Sequence, residues 1–245
     1  MTLPTEKTKP KTNLWEYPIF LYGDKMIGKS TLANEIEGNL FFNTAGGLDA
    51  LEHFEVKINS WQDFLEAGAE FISGKHMFKV ATIDTIDRLH KLCAEHIMKL
   101  KNITHPQDLE FGKGYDMIKD EFIRPLTKLA LSKYGLIMIS HVKDVEITSR
   151  TRKFNKNIPT LQSYVWELIN ALSGIVMFYT TEEGLDKEGK SIRKRIIRTS
   201  PDEKWIAGDR TKKLLSFGDI EMTADGGNWK KIEDIFNRNM KGETK

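Results

Sequence analysis

Two glycines five positions apart, followed directly by a lysine and a serine, restrict the fold of this chain more than any other feature. Residues 23–31 read Gly-Asp-Lys-Met-Ile-Gly-Lys-Ser-Thr and match the pattern Gly-x4-Gly-Lys-Ser/Thr at every fixed position. Glycines permit the dihedral angles that turn backbone N–H groups inward around an anion. An apolar run at residues 18–22 precedes the motif, and apolar residues at helical spacing follow it. The stretch therefore predicts a strand, a phosphate-binding loop and a helix, in that order.

The fixed residues of this loop are the types that hold a nucleotide and its metal ion. Lys29 supplies a positive charge for the β- and γ-phosphates, which makes it a candidate catalytic residue, and Ser30 offers a hydroxyl to Mg²⁺. The helix that begins here points its positive end at the phosphates. The predicted nucleotide-binding residues are Gly23, Asp24, Lys25, Met26, Ile27, Gly28, Lys29, Ser30 and Thr31.

Apolar runs along the rest of the chain predict strands that alternate with helices. Residues 39–43, 78–83 and 136–139 have the length of buried strands, and apolar residues at helical spacing lie between them. Turn-forming residues at 184–189 indicate a hairpin. Residues 142–159 are polar and without clear periodicity, which predicts a loop. The pattern is typical of an α/β fold whose mostly parallel sheet is covered on both faces by helices.

Composition narrows the class of protein further. A chain of 245 residues is long enough for one large α/β domain. The net charge of +2 means that any affinity for nucleic acid must come from local basic patches. The single cysteine, Cys93, excludes an internal disulfide and a cysteine zinc site. Because no apolar run approaches the ~20 residues that span a bilayer, we expect no membrane association and a cytoplasmic location.

Polar residues stand where two of the predicted strands end, the edge at which such sheets bind ligands. Asp84 follows Val-Ala-Thr-Ile, the pattern of the carboxylate that holds Mg²⁺, although it could instead cap the next helix. Asp87 is the better candidate for that cap, and its alternative role is to polarise the attacking water. His141 ends another strand, where it would sense the γ-phosphate or be merely structural.

A basic segment, residues 143–156, directly follows His141. A flexible loop with this charge could hold a nucleic-acid backbone, and the alternative is a solvated surface. A second basic run, residues 193–195 with Arg198, offers another DNA site. The predicted DNA-binding residues are Lys143, Arg150, Arg152, Lys153 and Lys156.

Arg210 lies in a late loop that reads Gly-Asp-Arg-Thr-Lys-Lys. An arginine in such a loop can reach the γ-phosphate of a neighbouring subunit as an arginine finger. The alternative is a surface ion pair with Asp209 or Asp202, and the sequence leaves both open.

With these motifs the chain resembles the RecA-like ATPases of bacteriophages, specifically the small core-only group linked to recombination and annealing. The resemblance rests on residues 23–31, 80–87, 140–143 and 208–210. It implies a RecA-like three-layer α/β/α fold, binding of ATP and Mg²⁺, and assembly on single-stranded DNA as a ring or filament in the host cytoplasm. The corresponding division of the chain is a flexible arm (1–14), a RecA-like ATPase core (15–227) and a C-terminal helix and tail (228–245).

Two positions depart from the family pattern. The turn after the second strand has Ala45 where the family carries the acidic residue that polarises water, and Asp49 or Asp87 would have to substitute. Gly208 stands where relatives often have a lysine, which weakens the case for activation across a subunit interface. We therefore expect ATP binding with slow hydrolysis.

Three functions fit these observations. The first is an ATPase that acts on single-stranded DNA in recombination, annealing or replication, with a phage single-strand-binding or replication protein as a possible partner. The second is a nucleotide-gated DNA-binding or loader protein that hydrolyses little ATP. The third is a small-molecule P-loop kinase, whose lid the basic segment would imitate.

Overall fold

A large sheet forms the centre of the molecule. The computed structural model describes residue 3 and residues 5–148, 152–185, 189–215 and 217–238. Within them, ten strands pair in the order β10-β8-β7-β1-β5-β4-β2-β3, with β6 beside β5 and β9 beside β7. The strands are β1 (Ile19–Gly23), β2 (Asn39–Asn43), β3 (Glu55–Lys57), β4 (Val80–Asp84), β5 (Gly135–Thr148), β6 (Lys153–Pro159), β7 (Ile175–Leu185), β8 (Ser191–Arg198), β9 (Gly208–Asp209) and β10 (Ile220–Met222).

The central strands of this sheet are parallel. β1 pairs in parallel with β5 and β7, and β4 lies in parallel between β5 and β2. Every residue of β1, β2 and β4 is buried, which explains why these segments read as continuous apolar runs. β5 therefore separates the strand of the phosphate loop from the strand that ends at Asp84. The predicted α/β fold with a mostly parallel central sheet is confirmed.

Helices cover both faces of the sheet and make two cores. One core contains large side chains of α2 to α5, such as Trp61 and Phe122, and the other contains residues of α1 and α6, such as Leu32 and Phe236. The molecule is thus a three-layer α/β/α sandwich. Its helices are α1 (Lys29–Asn34), α2 (Trp61–Ser73), α3 (Ile86–Lys101), α4 (Lys113–Ala130), α5 (Ser163–Leu172) and α6 (Asn228–Arg238).

Two local expectations are wrong. The segment read as a loop at 142–159 is an antiparallel hairpin, in which β5 continues to Thr148 and β6 pairs with it from Lys153 to Pro159. Within residues 144–148, polar residues alternate with Val145 and Ile147, which is the period of a strand. In addition, the sequence suggests that Pro125 breaks the helix that contains it. α4 instead continues through Pro125, because its buried face on either side packs into the core.

The C-terminal helix belongs to the second core. Trp229, Ile232, Ile235 and Phe236 of α6 are buried, and the backbone N–H of Trp229 donates to Glu35 Oε2 at 2.7 Å. Leu14, just before β1, is 1% exposed in the same core. Leu14 and α6 are therefore both held against the face that carries α1.

Truncating the buried side of α6 should destabilise the whole domain. Ile232 is fully buried, so Ile232→Ala should lower the free energy of unfolding by about 2–5 kcal/mol. Lys230→Ala is the matched control, because Lys230 lies on the exposed side of the same helix, where it pairs with Asp234. Urea denaturation measures both variants. Equal midpoints for Ile232→Ala and wild type would show that α6 is peripheral to the fold.

Candidate nucleotide-binding site

The phosphate loop joins the end of β1 to the start of α1. Gly28 has a φ of 109°, in the left-handed region that favours glycine. At Gly23, a Cβ would lie 1.9 Å from the carbonyl oxygen of Tyr179 on the neighbouring strand, so no side chain fits there. Both glycines of the motif are therefore required by the backbone of this loop.

Lys29 is the buried cation of this site. Its Nζ donates to the carbonyl oxygens of Gly23, at 3.0 Å, and Asp24, at 2.7 Å. Burial lowers the pKa of Lys29 to about 8, although the negative charge of Asp84 acts in the opposite direction. A desolvated ammonium group that is held by carbonyl oxygens and faces an anion-binding loop fits phosphate oxygens as ligands.

Ser30 and Asp84 meet beside this lysine, as the sequence predicts. The Ser30 hydroxyl donates to Asp84 Oδ2 at 2.5 Å, and burial raises the pKa of the Asp84 carboxyl. In the described part of the chain, no cluster of three or more His, Cys, Asp or Glu side chains could hold a metal ion alone. A hydroxyl and a single carboxylate nevertheless fit Mg²⁺, which takes few protein ligands and completes its shell with phosphates and water.

His141 and Asp87 lie on the same side of the loop. His141 pairs with Gly23 across the β1–β5 ladder, so it stands directly beside the phosphate loop. Burial, reinforced by the charge of Lys29, lowers the pKa of His141, and the ring is therefore neutral at pH 7. Among the described residues, neither His141 Nδ1 nor Asp87 Oδ2 has a hydrogen-bond partner, although both atoms are buried. Two unpaired polar atoms next to a cation indicate a place for a polar ligand.

Asp87 does not cap α3. The N-cap is Thr85, whose Oγ1 accepts from the backbone N–H of Arg88 at 3.4 Å. Asp87 instead accepts through Oδ1 from the hydroxyls of Thr160, at 2.6 Å, and Ser140, at 3.1 Å. Thr160 was not foreseen, because it follows a hairpin that the sequence pattern presents as a loop.

The side chain of Asn43 holds the turn that contains Ala45. Asn43 Oδ1 accepts from the backbone N–H of Gly46 at 2.8 Å, and Asn43 Nδ2 donates to Glu55 Oε2 at 2.6 Å. Asp49, the other substitute considered for the acidic residue, is exposed. Of the two candidates, the structure brings only Asp87 into electrostatic reach of Lys29.

Arg210 lies away from the phosphate loop of its own chain. Asp209 pairs with Ile175 at the start of β7. β1 runs parallel to β7, and the phosphate loop follows the end of β1, at the opposite edge of the sheet. The Arg210 guanidinium donates to the carbonyl oxygens of Asn170 and Ala171 near the end of α5, both at 3.1 Å. These bonds replace the expected ion pair with Asp209 or Asp202. A role at a neighbouring subunit stays a prediction.

The β5–β6 hairpin separates its charges between two faces. Its register places Lys143 and Lys156 on one face with Phe154, and Glu146 and Lys153 on the other. Lys153 Nζ lies 3.2 Å from Glu146 Oε1, so its charge is compensated. Arg152 pairs with Glu203 and lies over the Phe154 ring, 5.4 Å from its centroid. Arg150 lies outside the described residues.

The comparisons with known proteins agree with a P-loop ATPase. The AAA domain family (AAA_24) matches residues 16–211, and the chain belongs to this family of nucleotide-binding ATPases. Such ATPases bind a nucleotide and usually Mg²⁺. A comparison with curated proteins gives no significant match. Within the described residues, no helix combines the length and apolar character needed to cross a membrane.

Several solved structures show a remote likeness. A KaiC-like protein of Pyrococcus horikoshii OT3 has a TM-score of 0.45 and 11% identity, over 85% of this chain and 90% of that one. The flagellar accessory protein FlaH of Methanocaldococcus jannaschii has a TM-score of 0.35 and 14% identity, over 75% of this chain and 77% of that one. The ATPase DotB of Legionella pneumophila has a TM-score of 0.36 and 10% identity, over 94% of this chain and 62% of that one. The family assignment rests on the sequence match alone.

The lowered pKa of Lys29 makes nucleotide affinity depend on pH. Because that pKa is about 8, the free protein loses the Lys29 charge as pH rises through this value, whereas bound phosphates favour the protonated form. Affinity for ATP should fall between pH 7 and about pH 9.5, by at most about tenfold per pH unit. Titration with a fluorescent ATP analogue measures the effect. Residual binding by Lys29→Ala should lack this fall, and a flat wild-type profile would contradict the assignment.

Proposed function

We propose that this chain is an ATP-binding, RecA-like phage protein that acts on single-stranded DNA and hydrolyses ATP slowly. The observation that carries the proposal is the connection between the nucleotide site and the hairpin. His141 and Thr160 stand at the two ends of the hairpin, and the backbone N–H of Thr160 donates to the His141 carbonyl oxygen at 2.9 Å. The Thr160 hydroxyl also donates to Asp87 at 2.6 Å. The base of the hairpin is thus tied to polar groups beside the phosphate loop.

The residues of the site have separate tasks in this proposal. Lys29 would exchange its carbonyl partners for phosphate oxygens. Ser30 and Asp84 would hold Mg²⁺, which would neutralise charge on the phosphates. Neutral His141 offers a hydrogen bond to the γ-phosphate. Asp87 uses its unpaired Oδ2 to orient the attacking water, while Ser140 and Thr160 fix its other oxygen. Hydrolysis is slow because the turn at Ala45 supplies no carboxylate.

The hairpin supplies the DNA-binding surface. Lys143 and Lys156 share a face with the Phe154 ring, so two phosphates and one base could be held together. Arg152 lies against the same ring. Such a surface binds by charge and stacking and needs no base sequence. We further propose that several copies assemble on the strand and work with a phage single-strand-binding or replication protein.

A nucleotide-gated loader with little hydrolysis is the second candidate, and Ala45 favours it. The two functions use the same site and the same hairpin and differ in whether DNA stimulates turnover. The kinase alternative takes the basic segment as a free lid loop, whereas residues 143–148 and 153–156 pair in a hairpin.

Removing the two lysines of the Phe154 face should weaken binding to any single strand. Each phosphate contact contributes about −0.7 to the slope of log affinity against log salt, so Lys143→Ala with Lys156→Ala should flatten the slope by about 1.4. Fluorescence anisotropy with labelled single-stranded DNA across a salt series measures it. ATP affinity should be unchanged, because neither lysine belongs to the phosphate loop.

Lys153→Ala is the matched control for this experiment. It removes the same charge from the same hairpin, but from the opposite face, where Glu146 compensates it. Its slope should stay close to that of wild type. If the double variant and the control both bind as wild type does, the hairpin is not the DNA site and this part of the proposal is wrong.

A further inference from the structure

Arg195 of β8 lies against the phosphate loop. In the β7–β8 ladder Arg195 pairs with Thr181 and Ile197 pairs with Tyr179, so Arg195 and Tyr179 are on one face of the sheet. That face carries α1, because Tyr179 belongs to the same core as Leu32. A Cβ built at Gly28 would lie 3.6 Å from Arg195 Nη1 and 3.7 Å from Tyr179 Oη. The guanidinium therefore reaches the glycine that precedes Lys29.

In the part of the chain that the structure describes, this arginine is held by a backbone carbonyl and not by a carboxylate. Its Nη2 donates to the carbonyl oxygen of Thr223 at 3.0 Å. Among the described residues it forms no ion pair, whereas its neighbour Lys194 pairs with Glu221, and Arg198 of the same strand pairs with Glu182 and Asp219. A guanidinium that is fixed by one carbonyl and has no carboxylate keeps donors for an anion.

The position of Arg195 indicates which part of the nucleotide it meets. β1 lies between β5 and β7. His141 on β5 and Asp84 on β4 lie on the side where the proposed site would hold the metal ion and the γ-phosphate. Arg195 approaches Gly28 from the opposite flank, beside Tyr179 on β7. A phosphate chain that runs across the loop would present its α- and β-phosphates to this flank.

We propose that Arg195 binds the α- and β-phosphates of the nucleotide within its own chain, with Tyr179 beside it. This assignment rests on the proposed ATP site at the phosphate loop. It gives ATP and ADP the same additional contact, because both nucleotides carry these two phosphates. Arg195 is then a nucleotide ligand and does not belong to the alternative DNA site at residues 193–195.

The test is a titration of ATP and ADP against Arg195→Ala and Lys194→Ala. Lys194 is the matched control, because it is the adjacent cation, lies on the other face of β8 and pairs with Glu221. Loss of a charge-assisted hydrogen bond should raise the Kd of Arg195→Ala about tenfold or more for both nucleotides. Lys194→Ala should bind as wild type does. Arg195→Gln keeps most of the side-chain volume and replaces Arg195→Ala if circular dichroism shows that the alanine variant does not fold.

Three outcomes would overturn the assignment. Unchanged affinity of a folded Arg195 variant for both nucleotides, with binding lost in Lys29→Ala, removes Arg195 from the site and leaves the ATP site intact. An effect on ATP but not on ADP contradicts contact with the α- and β-phosphates. Weaker binding of single-stranded DNA with unchanged nucleotide affinity identifies Arg195 as a DNA ligand. Unchanged nucleotide binding by Lys29→Ala would instead refute the proposed ATP site itself.

Discussion

The ammonium group of Lys29, buried at the carboxyl end of β1, sets the requirements that the surrounding structure meets. A cation removed from water is unfavourable unless polar groups face it, and here the carbonyl oxygens of Gly23 and Asp24 do so. Gly23 keeps its place only because it has no side chain against β7. Asp84 adds a negative charge from two strands away. The central parallel sheet, buried on both faces, holds these groups in one place.

The connection from this site to the molecular surface runs through β5. That strand carries His141 beside the phosphate loop and continues without a break into the hairpin. Thr160 closes the hairpin at its other end and donates to Asp87. In the proposed function, a ligand that moves Asp87 or His141 would act on both ends of the hairpin, and a strand of DNA bound there would act back on them. Such reciprocity is what a nucleotide-gated DNA-binding protein requires.

The features that the sequence predicts well are local ones. The phosphate loop, the strand ending at Asp84 and the parallel sheet follow from spacing and apolar runs within about ten residues. The partners of Asp87 and the place of Arg195 depend on strand register between residues far apart in sequence, such as 87 and 160, or 28 and 195. The hairpin escaped prediction because its apolar residues are few and half-exposed, so its alternation resembled a polar loop. The cap at Thr85 is missed because the apolar periodicity is taken to begin at Leu89, whereas the structure also buries Ile86, the first residue of the helix.

The most direct test of this account is phosphate release at saturating ATP, with and without single-stranded DNA, by wild type and Asp87→Asn. The substitution keeps the shape of the side chain and its hydrogen bonds to hydroxyls but removes the carboxylate. The account predicts that DNA raises the turnover of wild type. It also predicts that Asp87→Asn binds ATP normally and is slower by about 10²-fold or more under both conditions. Equal turnover by the two proteins, with no response to DNA in either, would contradict both the role of Asp87 and its connection to the hairpin.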